Sequence, residues 1–267
     1  MTDLLDSRPG LDAMDLYVPA VAPAVATPPL VREAFILAGG KGVRLRPYTT
    51  LIPKPLVPIG EYSILEIVLR QLACHGFTKA TIAIGHLGQL IRAFVGDGSQ
   101  WGIEVEYACE TSPLGTIGPA LLGLDSRADQ FLIMNGDILT NLDFEDFLES
   151  HAASDAPLTV ATYEREHMVD FGVLDISESR IVRFREKPTY TYSVSMGVYA
   201  VTTSALRGYA TGMPFGFDDL ILDLLARGQE PANYPFSGFW LDIGRPDDYD
   251  RANAEFDQLK PLLLPQL

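Results

Sequence analysis

The stretch Leu37-Ala-Gly-Gly-Lys-Gly-Val-Arg-Leu-Arg-Pro47 follows directly on the apolar residues at 34–36. A short apolar run that stops at glycines is typical of a buried strand that ends in a glycine-rich loop. Backbone N–H groups in such a loop can bind phosphate oxygens, because glycine lets the backbone approach an anion closely. The stretch therefore predicts a phosphate-binding loop, with the Arg44 guanidinium close enough to pair with several phosphate oxygens.

Short apolar runs and amphipathic segments alternate through the first half of the chain. The pattern predicts strands at 34–37, 80–84, 103–107 and 131–134, and helices at 64–75, 88–95, 117–124 and 144–151. Such alternation indicates an α/β fold, a three-layer, Rossmann-like, mixed but mostly parallel sheet with helices on both faces. Ligands of these sheets bind outside the carboxyl ends of the strands. The turns at 39–42 and 135–137 are both expected there.

The remaining chain divides into a β-rich second half and an unusual beginning. Strands are predicted at 158–162, 172–176, 181–184 and 194–201, and helices at 218–226 and 246–257. Residues 1–31 are rich in proline and alanine without a usable period, which predicts a flexible tail. We expect one folded domain over residues 32–260, since no linker interrupts them.

Composition excludes several classes of protein. The 267 residues carry a formal net charge of -15 and contain no run of Lys or Arg, which argues against nucleic-acid binding. Cys74 and Cys109 form no C-x-x-C pair and the histidines lack ligand spacing, which argues against a zinc site or a disulfide framework. No apolar run approaches the roughly 20 residues of a membrane span. Because the N-terminus is acidic where a signal peptide is basic, we expect no membrane association and a cytoplasmic location.

Two common nucleotide-binding motifs do not match the glycine-rich loop. A Rossmann fingerprint starting at Gly40 would place its last glycine at Leu45, and a Walker A loop needs Lys-Ser/Thr where Gly42 precedes Val43. A second cation, Lys54, lies between Pro53 and Pro55, which stiffen its backbone. Taken alone, the glycine-rich loop has a simpler interpretation as a turn with a solvated Arg44. Lys54 alone has a simpler interpretation as a surface lysine.

Together, Gly39-Gly-Lys-Gly-Val-Arg-Leu-Arg-Pro47 and Pro53-Lys-Pro-Leu-Val-Pro-Ile59 resemble the signature of the sugar-1-phosphate nucleotidyltransferases. The resemblance implies a GT-A-like nucleotidyltransferase fold and makes 32–260 the catalytic domain. It implies that Arg44 stabilises charge in the transition state and that Lys54 reaches phosphate. The family often has Thr or Ser where this chain has Val43, so one hydroxyl contact to phosphate is expected to be missing.

Later motifs continue the resemblance in the same order. Pro113-Leu-Gly-Thr-Ile-Gly-Pro-Ala120 resembles the family's base-contacting turn, and Asn135-Gly-Asp137 resembles its metal-binding Gly-Asp. Phe171-Gly172 and Glu186-Lys187-Pro188 resemble sugar-side elements, and Trp240-Leu-Asp-Ile-Gly-Arg-Pro246 resembles the late Asp motif. Asp137 and Asp242 each follow an apolar run, and two carboxylates with substrate phosphates are a usual way to hold Mg²⁺.

The resemblance implies specific roles for three sets of residues. The catalytic residues would be Arg44, Lys54, Asp137 and Lys187, with Mg²⁺ on Asp137 and Asp242. The nucleotide-binding residues would be Leu37, Gly39, Gly40, Gly42, Gly85, Glu110, Gly115, Thr116 and Gly118. The sugar-phosphate-binding residues would be Gly136, Gly172, Glu186, Lys187 and Gly197.

The implied activity is transfer of a nucleoside monophosphate from an NTP to a sugar 1-phosphate, giving an NDP-sugar and pyrophosphate. The form of the turn at 114–119 is similar to mannose-1-phosphate guanylyltransferase-like members and favours GTP. Ser195-Met196-Gly197 and Tyr62-Ser63 depart from the family pattern, so a mannose- or heptose-like sugar and an unusual sugar or cyclitol phosphate all stay open.

Other functions remain open beside guanylyl transfer. A uridylyl-, thymidylyl- or cytidylyltransferase of the same family fits the motifs, and so does a non-catalytic regulatory module that binds a nucleotide sugar. A glycosyltransferase is less favoured, since residues 136–138 lack its Asp-x-Asp. The resemblance also raises homo-oligomer formation, and we expect the additional C-terminal domain of many relatives to be missing.

Overall fold

The computed structural model describes residues 32–264, so the tail predicted at 1–31 lies outside the described residues. The strands are β1 (Glu33–Leu37), β2 (Pro58–Ile59), β3 (Tyr62–Ser63), β4 (Lys79–Ile84), β5 (Glu104–Cys109), β6 (Gln130–Asn135), β7 (Ile138–Thr140), β8 (Leu158–Met168), β9 (Val173–Ser177), β10 (Arg180–Arg185), β11 (Thr189–Thr202), β12 (Ala232–Phe236) and β13 (Trp240–Asp242). The helices are α1 (Ile64–Cys74), α2 (Gly88–Val95), α3 (Phe144–Ala153), α4 (Thr203–Leu206), α5 (Phe217–Ala226), α6 (Pro246–Ala254) and α7 (Phe256–Leu263). None of the helices between residues 32 and 264 is long and apolar enough to cross a bilayer.

A seven-stranded sheet forms the centre, in the order β12-β8-β11-β6-β1-β4-β5. Strand β11 runs antiparallel to β6 and β8, and the remaining neighbours are parallel. The predicted mixed, mostly parallel sheet is confirmed. Leu37 at the end of β1 pairs with Asn135 at the end of β6, so the turns after these two strands lie side by side.

Hydrophobic cores cover both faces of the sheet, as the three-layer prediction requires. On one face α1, α2 and α3 bury residues such as Leu69, Ile91 and Phe147 against the strands. On the other face α5 buries Leu220 and Leu224 beside Phe131 of β6. Burying such side chains removes apolar surface from water, at about 25 cal/mol for each Å².

Local capping determines where two of these helices begin. Ser63 Oγ accepts a hydrogen bond from Glu66 N (3.1 Å) before α1. Asp143 Oδ1 accepts from Glu145 N and Asp146 N (3.0 and 3.1 Å) before α3. Both contacts satisfy amides that the first turn of a helix leaves without a backbone partner.

Two predicted helices were wrong in form. Residues 117–124 make two short 3₁₀ segments, Gly118–Leu121 and Leu124–Ser126. Gly123, with φ +71°, separates the two segments. The amides of Ile117 and Gly118 donate to the Phe215 carbonyl and not to carbonyls within a helix. The helix predicted at 246–257 is interrupted at Glu255, and α7 begins at the buried Phe256.

Candidate functional site

A cleft of about 630 Å³ lies at the carboxyl ends of β1, β4 and β5. It is lined by Leu37, Gly39, Gly40, Lys41, Gly85, His86, Glu110, Thr111, Ser112, Pro113, Gly115 and Thr116. The cleft is where the sheet topology predicts a ligand site, and its volume lies within the range of small-molecule pockets. Seven of the nine residues proposed for nucleotide binding line it; the other two are Gly42 and Gly118.

Glycines occupy two crowded positions of the cleft floor. A Cβ on Gly39 would lie 2.6 Å from Glu110 Oε1, and one on Gly85 would lie 3.1 Å from the Gly39 carbonyl oxygen. Glu110 Oε2 accepts from Leu114 N at 3.3 Å. Burial raises the pKa of the Glu110 carboxyl, and this hydrogen bond opposes the shift. Gly39, Gly40 and Gly85 place no side chains in the cleft, which leaves room for a ligand.

The turn at 113–118 forms one wall and is held against the start of α5. Phe217 N, the first amide of α5, donates to Thr116 Oγ1 (2.9 Å). Gly115 has φ +78°, and a Cβ there would lie 2.6 Å from the Phe215 carbonyl oxygen. Gly118 is buried, with its amide on the same carbonyl (3.1 Å), so it shapes the turn from behind the cleft.

The glycine-rich loop continues from this cleft into a second, smaller one. A pocket of about 210 Å³ is lined by Gly42, Val43, Arg44, Leu45, Lys54 and Gly244. Thr49 Oγ1 donates to the Gly42 carbonyl (2.7 Å), which fixes the loop between the two pockets. Arg44 is exposed, whereas Lys54 is only 8% exposed. The structure therefore brings the two predicted cations to one small pocket.

Lys54 lies between two carboxylates. Its Nζ forms an ion pair with Asp137 Oδ2, and Asp242 Oδ1 is 3.8 Å away. The acids meet because β7 and β13 pair as a two-stranded antiparallel ladder, with Asp242 opposite Ile138. Ile243 N donates to the Asp137 carbonyl at 3.0 Å. Asp137 follows a strand of the central sheet, whereas Asp242 ends β13, which belongs to the two-stranded ladder.

The electrostatics of these two acids fit a divalent cation. Burial raises the pKa of the Asp242 carboxyl, and the nearby Asp137 charge adds to the shift. Asp137 Oδ1 and Asp242 Oδ1 are buried, and neither has a hydrogen-bond partner among residues 32–264. Buried carboxylate oxygens without a partner are costly, and a hard cation would satisfy them. No third His, Cys, Asp or Glu joins them within the described part of the chain.

Two of the proposed sugar-side glycines lie where strands crowd together. A Cβ on Gly136 would be 2.9 Å from the Leu37 carbonyl oxygen. Gly197 has φ +74°, and a Cβ there would be 2.5 Å from Asn135 Nδ2. Gly197 belongs to the irregular part of β11, where the pairing with β8 shifts register between Ser195 and Tyr199. These positions require glycine for packing beside the ends of β1 and β6.

The other proposed sugar-side residues belong to the β9–β10 hairpin and its neighbours, and they line neither pocket. A Cβ on Gly172 would lie 2.5 Å from the Phe184 ring and 3.4 Å from Glu186 Oε2. Lys187 Nζ pairs with Asp170 Oδ1 at 2.7 Å, and both side chains are more than half exposed. Lys187 also has φ +42°, a conformation that costs a non-glycine residue energy.

Several residues of the cleft were missed as site residues. Lys41, Thr111 and Ser112 line it although no role was predicted for them, and His86 lines it although it was not counted among the site residues. Lys41 had a visible signal, since it is a cation within the glycine-rich loop. Thr111 and Ser112 had none, because small polar residues in a loop occur in many other contexts.

Comparison with known proteins gives one family match that covers most of the chain. Residues 33–258 match the family described as Nucleotidyl transferase. A mannose-1-phosphate guanyltransferase of Schizosaccharomyces pombe is 30% identical over 226 residues, which are 81% of this chain and 62% of that protein. The chain thus spans less than two thirds of the length of this relative.

A shorter relative and a solved structure match over nearly their whole length. A D-glycero-alpha-D-manno-heptose 1-phosphate guanylyltransferase of Aneurinibacillus thermoaerophilus is 28% identical over 84% of this chain and 97% of its own. The crystal structure of HddC from Yersinia pseudotuberculosis complexed with GMP-PN has a TM-score of 0.66 and 26% identity. It covers 84% of this chain and 99% of that one.

Proposed function

This chain belongs to the nucleotidyl transferase family, and on that premise we propose that it transfers a nucleoside monophosphate from an NTP to a sugar 1-phosphate. The observation that carries the proposal is the group formed by Lys54, Asp137 and Asp242 at the end of the glycine-rich loop. A buried cation between two carboxylates, next to a cleft of nucleotide size, suits chemistry on a phosphoryl group. The products would be an NDP-sugar and pyrophosphate.

The large cleft is proposed to hold the nucleotide. Gly39, Gly40 and Gly85 leave its floor open to a base and ribose, and Gly115 and Thr116 form the facing wall. The glycine-rich loop then leads the triphosphate into the smaller pocket, where Arg44 and backbone N–H groups would hold the β and γ phosphates. Lys41 lies on the path between the two and adds a positive charge.

The reaction needs positioning and charge neutralisation more than proton transfer. An oxygen of the sugar phosphate attacks the α-phosphorus of the NTP, the bond to the α–β bridging oxygen breaks, and pyrophosphate leaves in line. No general base is needed, because the phosphate monoester is already ionised near neutral pH. Lys54 would offset negative charge on the phosphates, and we assign Lys187 and Glu186 to the sugar phosphate side.

Enzymes of this family usually use a divalent metal ion. We propose Mg²⁺ here, held by Asp137 and Asp242, whose unpartnered oxygens fit a hard cation. When bound, the ion would supply positive charge that stabilises the reacting phosphates. The ion pair with Lys54 holds the Asp137 carboxylate in place.

GTP is the favoured nucleotide and the sugar is less closely defined. Both curated relatives described above are named guanylyltransferases, and the related crystal structure contains GMP-PN. Their names support a mannose- or heptose-like sugar 1-phosphate. An unusual sugar or a cyclitol phosphate remains within the proposal, because the Ser195-Met196-Gly197 segment departs from the family pattern.

Pyrophosphate release tests the proposal. The protein is incubated with Mg²⁺ and each of GTP, UTP, dTTP and CTP, alone and with each of a panel of sugar 1-phosphates. We expect release that requires one NTP and one sugar phosphate together. If no combination releases pyrophosphate, but calorimetry shows tight binding of a nucleotide sugar, the chain would instead be the non-catalytic binding module.

A further inference from the structure

An exposed two-stranded arm extends from the central sheet beside the proposed site. It consists of the end of β8 paired with the start of β11, where Tyr163 is opposite Val194 and Arg165 is opposite Tyr192. Side chains alternate between the faces of a strand, so Tyr163 and Arg165 project from the same face. The β13 residue Trp240 packs against this face, with its ring centroid 5.3 Å from that of Tyr163.

Arg165 is held over these aromatic rings. Its guanidinium carbon is 4.8 Å from the Trp240 ring centroid and 5.5 Å from the Tyr163 ring centroid. The Trp240 ring is itself fixed, because Nε1 donates to the Met196 carbonyl at 3.0 Å. A cation over the face of Trp or Tyr is attracted by the ring quadrupole, and this limits where the guanidinium can go.

Arg165 has no acidic partner, unlike Arg185 and Lys187. No carboxylate lies within ion-pair distance of it among residues 32–264, whereas Arg185 pairs with Asp175 and Lys187 with Asp170, each at 2.7 Å. Its chain neighbours Glu164 and Glu166 project from the opposite face of β8. In a chain with a net charge of -15, a positioned guanidinium without a carboxylate is available to a ligand anion.

The aromatic rings connect Arg165 with the Lys54 cluster. Trp240 and Asp242 are two residues apart on β13 and therefore lie on one face of that strand, with Cα atoms about 7 Å apart. Asp242 lies 3.8 Å from Lys54, where the reacting phosphates are proposed to bind. A sugar attached to those phosphates could thus reach along Trp240 toward Arg165.

We propose that Arg165 binds a second phosphate, carried by the sugar or cyclitol 1-phosphate at a position remote from the reacting group. This proposal rests on the proposed function, since it assumes that the 1-phosphate reacts near Asp137 and Asp242. A planar guanidinium can donate two parallel hydrogen bonds to one phosphate, which combines charge with orientation. The substrate class is then a sugar or cyclitol bisphosphate, and a kinase-type reaction must supply its second phosphate.

The test compares two substrates in wild type and in two variants. Pyrophosphate release is measured with GTP and either mannose 1-phosphate or mannose 1,6-bisphosphate, for wild type, Arg165→Gln and the control Arg183→Gln. Arg183 is an exposed arginine of β10. We expect wild type to prefer the bisphosphate in kcat/KM. A hydrogen-bonded charge pair is worth about 1.5–3 kcal/mol, so Arg165→Gln should lower this preference about 10- to 100-fold, through KM.

The outcomes separate this proposal from the proposed function. A bisphosphate preference that is equal in wild type and Arg165→Gln, or that falls equally in Arg183→Gln, would overturn the role of Arg165 while leaving nucleotidyl transfer intact. If wild type releases no pyrophosphate with either substrate, the pair of GTP and mannose is excluded, and the panel of NTPs and sugar 1-phosphates decides the proposed function. Calorimetry with mannose 1,6-bisphosphate alone then decides the role of Arg165. Binding that is at least tenfold weaker in Arg165→Gln supports it, and equal binding overturns it.

Discussion

At the residue scale, Asp137 connects the ion pair with Lys54 to the proposed metal. Asp137→Asn removes a charge but keeps the size of the side chain. We expect kcat to fall at least 100-fold, which is typical when one group that stabilises transition-state charge is lost. The melting temperature should change far less. Pyrophosphate release and a thermal scan measure the two effects, with Asp125→Asn as an exposed control. Activity within tenfold of wild type would rule out Asp137 as a metal ligand.

The buried His151 gives a prediction about stability and pH. Burial lowers the pKa of its imidazole to about 4, and its ring nitrogens contact Thr159 Oγ1 (2.8 Å) and Thr202 Oγ1 (3.1 Å). In the unfolded chain the pKa returns to about 6.5, so the unfolded state binds more protons between those values. His151 therefore favours folding fully above pH 6.5 and loses that contribution as pH falls toward 4.

Urea unfolding at pH 7 and pH 5 measures this effect. We expect the His151 contribution to fall by about 2 kcal/mol between these conditions, since each pH unit within the window is worth up to about 1.4 kcal/mol. The comparison is with His151→Gln, which keeps a polar side chain but cannot titrate. Equal losses of stability in both proteins would contradict a neutral, buried His151.

The sequence predicted the chemical role of single residues better than it predicted which residues they contact. Lys54 between prolines and Asp137 after an apolar run were both identified from the sequence, and the structure places them in contact. What the sequence could not show is that Lys54 already pairs with Asp137, because 83 residues separate the two. Lys187 was assigned to the sugar phosphate, and its ion pair with Asp170 was not foreseen for the same reason.

At the scale of elements, the turn at 113–118 depends on one glycine. Gly115 and Gly212 have φ +78° and +77°, but a Cβ meets the Phe215 carbonyl at 2.6 Å only in the first case, and nothing within 4 Å in the second. Gly115→Ala should therefore cost more stability than Gly212→Ala, by roughly 1–3 kcal/mol, and raise the KM for the nucleotide.

Urea unfolding and NTP saturation curves on both variants test this. Backbone strain alone would affect the two variants equally, since their φ angles are nearly the same. If Gly115→Ala and Gly212→Ala lose the same stability, and Gly115→Ala leaves the KM unchanged, then close packing against the Phe215 carbonyl does not hold the turn.

Elements with a long apolar pattern were predictable, and short ones were not. Strands β1, β4 and β6 have apolar runs, and α1 and α3 have clear caps. Strands β7 and β13 have three residues each, which is too short for a period, and they pair across about a hundred residues of chain. Strand β12 contains Pro235, which argues against a strand except at a sheet edge, where β12 lies.

At the scale of the whole molecule, the position of the cleft followed from the sequence. Two glycine-rich turns after buried parallel strands must meet at one edge of the sheet, and the pairing of Leu37 with Asn135 confirms that they do. The antiparallel β11 between β6 and β8 was not predictable, because strand order is decided by contacts distant in sequence. That strand brings Met196 and Gly197 beside the site.

The central claim is that an NTP gives its nucleoside monophosphate to a sugar 1-phosphate in this fold. The most direct measurement follows GTP labelled at the α-phosphorus, incubated with the protein, Mg²⁺ and mannose 1-phosphate or mannose 1,6-bisphosphate. We predict that the label moves into a nucleotide sugar with one pyrophosphate released for each product molecule. Label that remains in the NTP, or that appears only as the nucleoside monophosphate, with these and every other NTP and sugar 1-phosphate of the panel would contradict the account.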